Sequence, residues 1–290
     1  MKIALIANCN SGGSTDPEEV AAALTAHGAV VQRFGLDPES RERAGRAEVE
    51  RVVVAGGDGS IGLAARIAQK LDVPLCLIPT GTANDFARSQ QIPLEVPRAA
   101  ALAIESQGLR RMDLGRLASG CSFVNVANTG LSTSAAREAA LLKGVLGPAA
   151  YGVGAARAAV SAELLACRIR VEGEEVFDGR CWQIIIAVTG AFGGGSRMDA
   201  ADPQDGQLDV AVLPAGSRLG LVRRAWGMRR GTVSEQADVL HHRGCDIELD
   251  LPPGTELNVD GEVIKAAHPE RATIETGAFA LVVSDAPDGG

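Results

Sequence analysis

The sequence predicts two domains of different class: an α/β N-terminal domain built on a parallel sheet, then a mostly antiparallel β C-terminal domain with helical insertions. Three observations carry this. In the first third of the chain, fully apolar strand-like runs alternate with helix-like segments, the pattern of a parallel sheet covered on both faces. Three of those runs lead straight into polar, glycine-rich stretches, "NCNSGG", "GGDGS" and "PTGTAND". Beyond about Arg110 short strand-like segments follow one another between turn-rich stretches, which suits an antiparallel arrangement. The expected bounds are 1–114 for a nucleotide-binding α/β domain, 115–285 for a β-rich domain and 286–290 for a flexible tail.

Taken in order, "KIALIAN" is a first strand. Asp16-Pro17-Glu18-Glu19 then supplies an N-cap, a proline for the first helical position and acidic residues for the helix dipole, with Gly28 as the stop. "AVVQRF" is a second strand, "AEVERVVVAGG" contains a third, "GSIGLAARIAQKL" is an amphipathic helix, and "VPLCLIP" is a fourth strand. In the second domain "RRMDLGRL", "CSFVNVAN", "CRIRVEGEEVF", "CWQIIIAVTG", "GQLDVAVLP", "CDIELDLP", "TELNVDGEV" and "FALVVSD" are strand-like. Helical insertions are expected near Ser132 to Leu142, Pro148 to Leu165 and Arg218 to Arg229.

The totals narrow the class of protein. With 290 residues and 46% hydrophobic composition the chain can fill a sizeable core. Its apolar stretches are all interrupted before the ~18 residues a membrane span needs, and the N-terminus does not read as a signal peptide, so a cytoplasmic protein is expected. A net charge of −8 repels polyanions, which argues against nucleic acid as a partner. The six cysteines contain no C-x-x-C pair and are expected to be buried free thiols.

In a parallel sheet ligands bind beyond the carboxyl ends of the strands, where all three glycine-rich loops fall. Gly56, Gly57 and Gly59 let a ligand approach the main chain, and the helix that follows offers free N–H groups suited to phosphate. Asp58, in the midst of such an anion site, makes chemical sense opposite a metal, a shared proton or a substrate hydroxyl, as phosphoryl transfer requires. The plain structural alternative is a tight turn with Asp58 as a helix cap. The spacing fits neither a Walker loop nor a dinucleotide fingerprint. "PTGTANDFAR" repeats the arrangement after the next strand, placing Gly81, Thr82, Asn84 and Asp85 at the start of another helix.

GGDGS followed by P-T-G-T-A-N-D-F-A-R resembles the catalytic domain of the soluble diacylglycerol kinase and sphingosine kinase family, whose superfamily also holds NAD kinases. The resemblance continues in order through "NCNSGG" (with Cys9 where the family has proline), "MDLG", "FVNVANTG", "KGVLGPAAYGVGA", "DGQLDVAVL" and "VDGE". It implies a diacylglycerol kinase/NAD kinase-like fold with the active site in the interdomain cleft, ATP and Mg²⁺ as cofactors, and a membrane lipid as substrate. Asn8, Ser11, Gly12, Gly56, Gly57, Asp58, Gly59, Ser60, Ile61, Gly62, Thr82 and Asn84 would surround the nucleotide. Glu262 matches the catalytic carboxylate, with Asp58 and Asp85 completing an acidic cluster; read alone, "DGE" is equally a hairpin turn. Asp205 matches a structural Mg²⁺ position, at which a carboxylate binds the ion together with backbone carbonyls that align with Asp202 and Gln207; oxygen-only ligation suits a hard cation.

"SRLGLVRRAWGMRRG" combines five arginines with apolar residues, either an amphipathic helix for an anionic membrane or an ordinary packed helix. The stretch from Ala135 to Leu165 could line a lipid-chain cavity or simply pack. No histidine has a spacing that demands catalysis or metal. The leading expectation is an ATP-dependent lipid kinase, cytoplasmic and in transient contact with the inner face of the membrane; a homodimer is compatible with it. Ceramide or sphingoid-base phosphorylation, an NAD kinase-like activity and an inactive lipid or nucleotide sensor are the alternatives.

Overall fold

The computed structural model describes residues 1–7, 16–131, 163–192, 196–198, 200–216, 236 and 238–285. The three expected helical insertions, the arginine-rich segment included, lie outside the described residues, apart from Glu163 to Leu165, which lead into a strand. Two compact units are present. The first comprises Met1–Leu114 with Glu275–Gly290, and the second Gly115–Ile274. The sequence assigns 275–285 to the second domain, whereas here the C-terminal segment returns to the first unit.

In the first unit β1 (Lys2–Ala7), β2 (Val30–Phe34), β3 (Arg51–Gly56) and β4 (Leu75–Pro79) form a parallel sheet in the order β4-β3-β1-β2. The register pairs Ile3 with Arg51, Lys2 with Val30 and Val52 with Leu75. Helix α1 (Pro17–Ala26) starts as expected: Asp16 accepts the Glu18 N–H at 2.9 Å and Pro17 occupies the first turn. Helices α2 (Pro38–Ala44), α3 (Asp58–Leu71), α4 (Asp85–Ser89) and α5 (Val96–Glu105) complete the unit. Alternate strand residues Ile3, Leu5, Val53, Ala55, Cys76 and Ile78 form one apolar core with Val20 and Leu24 of α1 and Ala99, Ala100 and Ala103 of α5. On the opposite face Ala4, Ile6, Val52 and Val54 are buried too, and α3 covers β3 with Ile61, Ala64, Ala65 and Ala68 turned inward. Burial on both sides is why these strands read as unbroken apolar runs.

Arg51 is buried at the start of β3, where its guanidinium donates to the carbonyls of Ala103 and Ser106, each at 2.7 Å. The charge thereby satisfies the open C-terminal end of α5. Burial pushes the neighbouring Cys76 thiol up to about 12, against the opposing pull of the Arg51 charge. The thiol is therefore neutral and inert. The expectation of buried free thiols holds for Cys76, Cys167 and Cys181, but Cys121 is half-buried and Cys245 exposed. Cys9 lies outside the described residues.

The second unit is antiparallel. Strand β5 (Leu109–Leu117) enters it and pairs with β6 (Ser122–Phe123); β7 (Val126–Gly130), β8 (Leu165–Val171) and β9 (Glu174–Ala187) follow. After the short β10 (Ala191–Phe192) and β11 (Ser196–Arg197) come β12 (Leu208–Pro214), β13 (Leu240–Gly244), β14 (Asp246–Asp250), β15 (Glu256–Val259), β16 (Glu262–Lys265) and β17 (Glu270–Val282), which from Glu275 on belongs to the first unit and pairs parallel with β4, Leu281 opposite Leu75. The first half of β9 pairs with β8, and its second half lies between β7 and β12. "CRIRVEGEEVF" is thus not one strand. It turns at Glu172 and Gly173, both at positive φ, and β9 then runs unbroken through Gly179 into "CWQIIIA". Leu208, Val210 and Val212 face a core with Ile169, Ile184, Ile186, Ile247 and Leu257; Ala211 and Leu213 face a second with Trp182, Ile185 and Val126.

Candidate active site

Beyond the carboxyl ends of β3 and β4 two loops of the first unit pack backbone against backbone. A Cβ on Gly81 would sit 2.5 Å from the Gly57 Cα and 2.8 Å from the Asn84 Oδ1, so glycine is required at that contact. Asn84 holds the left-handed conformation (φ 53°, ψ 43°), which Asn tolerates better than most residues. Its carboxamide clasps the loop from within, accepting the Gly81 N–H at 3.0 Å and donating to the Gly81 carbonyl at 2.9 Å. Ser60 donates its hydroxyl to the Gly57 carbonyl at 2.7 Å. Directly below lies a cavity of about 10 Å³ lined by Gly56, Asp58, Ile61, Pro79 and Asn84 among others, room for no more than a water.

Asp58 is the first residue of α3, and its carboxylate is directed at the other loop. Oδ2 accepts the Asp85 N–H at 3.1 Å and Oδ1 the Phe86 N–H at 2.9 Å. The carboxylate therefore caps α4, a helix whose own N-cap, Asn84, makes no side-chain cap bond to it. This is how a carboxylate is accommodated within an anion-binding edge: its charge is matched by the backbone dipoles of a second helix start. It is a helix cap, though of α4 and not of its own helix. Gly56 lies against Ser60, whose Oγ would stand 2.3 Å from a Cβ there, and Gly57 against Gly81. Gly62 and Ile61 are buried on the inner face of α3, while Thr82 is exposed. Asn8, Ser11 and Gly12 lie outside the described residues.

In the second unit "VDGE" forms the tip of the β15–β16 hairpin, with Asp260 (φ 47°) and Gly261 (φ 95°) as its two-residue turn. Both are left-handed, as the favoured hairpin turn demands. Asp260 is also a clamp. Oδ2 accepts the Val124 N–H at 2.8 Å, and Oδ1 accepts those of Asn125 at 3.0 Å and Val126 at 2.9 Å. The Asp260 N–H returns a bond of 3.0 Å to the Val126 carbonyl. Two blocks of the sequence singled out separately, "FVNVAN" and "VDGE", are thus welded by one carboxylate. Glu262 follows at once, backbone-paired with Val259 and exposed, its carboxylate without a hydrogen-bond partner among the described residues.

Sequence reasoning missed the clamping role of Asp260 and a similar one for Asp113 of "MDLG". Asp113 is buried and accepts the Gly277 N–H at 2.6 Å. A single aspartate within an apolar strand is the available signal, since a buried carboxylate requires donors.

The expected metal ligands lie in the loop before β12. Asp202 accepts the Gln204 N–H at 3.0 Å, and Asp205 accepts the Gln207 N–H at 2.9 Å on Oδ1. The other oxygen of Asp205 is ion-paired with Arg243 of β13. No group of three or more His, Cys, Asp or Glu able to hold a metal occurs among the described residues. No helix among them is long and apolar enough to cross a membrane.

Residues 2–117 match the family model of the diacylglycerol kinase catalytic domain, and residues 125–283 that of the YegS C-terminal NAD kinase beta sandwich-like domain. A Pectobacterium atrosepticum protein named probable lipid kinase YegS-like is 31% identical over 90% of this chain and 89% of its own. A Bacillus subtilis protein named diacylglycerol kinase is 28% identical over 76% and 74%. The crystal structure of a diacylglycerol kinase from Bacillus anthracis superposes with a TM-score of 0.76 at 20% identity, covering 98% of this chain and 97% of that one, which supports the fold. With both domain models matched in order along its length, the chain belongs to the diacylglycerol kinase family, as a YegS-like member.

Proposed function

We propose that the protein is an ATP-dependent lipid kinase that transfers the γ-phosphate to a hydroxyl of diacylglycerol or a related membrane lipid. The observation that carries this reading is Glu262: an exposed, partnerless carboxylate one residue beyond a turn that Asp260 pins to three backbone amides. A general base needs that combination of fixed position and open lone pairs. In this reading the glycine loops after β3 and β4 take the nucleotide phosphates on backbone N–H groups, and Asp58 and Asn84 hold those loops in register. Mg²⁺ carried with ATP would neutralise the transferring phosphates beside the loops on which Asp58 and Asp85 stand. Glu262 accepts the proton of the lipid hydroxyl as its oxygen attacks the γ-phosphorus and ADP leaves.

The test is transfer of labelled phosphate from ATP with Mg²⁺ into vesicles containing diacylglycerol, ceramide or a sphingoid base in separate reactions. Label is expected in the diacylglycerol product, and Glu262→Gln should lower the rate by roughly 10² to 10⁴. Label in NAD, or a fully active Glu262→Gln enzyme that retains the wild-type melting midpoint, overturns the reading.

A further inference from the structure

Strands β12 and β13 and the loop before β12 bring Asp205, Asp209, His241 and Arg243 together at one end of the second unit's sheet. Asp209 lies directly opposite Arg243 in the antiparallel register, and His241, two residues away on the same strand, shares that face. Asp209 is fully buried. Its Oδ1 lies 2.6 Å from the His241 Nε2 and 3.4 Å from the Arg243 Nε, while its Oδ2 has no hydrogen-bond partner among the described residues. The same guanidinium is ion-paired through Nη2 with Asp205. One arginine therefore spans the loop carboxylate and the buried strand carboxylate.

The loop in question, Asp202 to Gln207, aligns with the position where the family resemblance implies a structural Mg²⁺. Here the residues do not fit such an ion. One oxygen of Asp205 accepts the Gln207 N–H and the other faces Arg243, and the Asp202 carboxylate accepts the Gln204 N–H. The Asp202 carbonyl points at the Asp205 N–H, 3.5 Å away. A small octahedral cation needs several oxygens converging at about 2.1 Å, and a guanidinium on the central carboxylate repels it.

We propose that Arg243 is the built-in counter-ion of this loop: it is shared between Asp205 and Asp209, with His241 as the second partner of Asp209, and the loop neither needs nor binds a divalent cation. Arg243 is then a structural residue of the loop. The row of paired residues from Arg243 runs through Asp209, Ala187 and Val126 to the strand pair that ends in the Asp260–Gly261 turn. Five strand spacings separate Arg243 from Glu262 along this edge, about 24 Å, so any influence on the hairpin travels through the sheet and not by contact.

The test reads metal binding and stability, and so stands or falls apart from the kinase reading. Mn²⁺ titrated into the nucleotide-free full chain and followed by electron paramagnetic resonance should give the same number of tight sites in wild type and in Asp205→Asn. One site per chain in wild type that Asp205→Asn removes would overturn the proposal. In EDTA, Arg243→Gln should lower the melting midpoint by several degrees, while Arg243→Lys, which keeps a cation on the strand, should retain most of it. An unchanged midpoint in Arg243→Gln also overturns it. Should Arg243→Gln not fold, the Mn²⁺ comparison between wild type and Asp205→Asn still decides the matter.

Discussion

The first unit's loops and the second unit's hairpin both place an aspartate beside glycine, yet the two aspartates hold different things in place. Asp58 receives two amides from a neighbouring helix start, and the loop around it is kept by glycine contacts and the Asn84 clasp. Asp260 receives three consecutive amides from one strand and leaves the next carboxylate, Glu262, open. The difference separates two things that a motif reading merges: carboxylates that organise backbone, and an exposed carboxylate that, in the proposed reading, takes a proton.

That distinction is broken most severely at Asp260. Asparagine there keeps the left-handed turn and one acceptor oxygen, but its amide group would face the Val124 N–H, donor against donor. With charge-assisted bonds worth about 1.5 to 3 kcal/mol each, Asp260→Asn should cost about 3 kcal/mol and lower the melting midpoint by on the order of 5 to 10 °C. Activity should fall with it, because Glu262 loses its fixed position. A variant with native stability but lost activity would mean that Asp260 acts in the chemistry itself, and the division of roles would have to be redrawn.

At the first unit the corresponding break is steric. The Cβ of Gly81→Ala would stand 2.5 Å from the Gly57 Cα, against backbone that cannot rotate away, so the two loops must separate. Nucleotide KM should rise about tenfold, with a smaller change in the lipid KM. Equal changes in both would indicate that the glycine loops serve more than the nucleotide.

The first unit was legible because its signals are local and redundant. Pro17 and the Asp16 cap mark α1, unbroken apolar runs mark β1, β3 and β4, and "GGDGS" and "PTGTAND" lie beyond β3 and β4 as strand-end loops must. The second unit was legible as strands but not as connections. Glu172–Gly173 makes a two-residue turn without the usual Asn or Asp, so "CRIRVEGEEVF" read as one strand. Asp58 capping α4, Asp260 gripping "FVNVAN" and Arg243 reaching Asp205 all join residues distant in sequence. A single sequence read alone carries no signal for such pairs: a carboxylate's need for donors is visible, and their identity is not.

The smallest expected effect sharpens the comparison by showing what an ordinary ion pair in the second unit does. Arg271 of β17 grips Asp246 of β14 with two parallel bonds, Nε to Oδ1 at 2.7 Å and Nη2 to Oδ2. The hydrogen bond from Arg271 holds the Asp246 carboxyl below its usual range. A folded-state value below the unfolded one of about 3.9 means the pair's contribution is complete above that pH. It is then lost as pH falls through the folded value. Both side chains are solvent-accessible, at 59% for Arg271 and 33% for Asp246, so screening leaves little of it. Wild type and Asp246→Asn should therefore differ by on the order of a degree in melting midpoint near neutral pH, less at high salt, with the gap closing below about pH 4. A gap as wide as that of Asp260→Asn, or one that grows on acidification, would place Asp246 among the backbone-organising carboxylates, because only a group whose oxygens are committed to something beyond one exposed arginine could be missed so strongly.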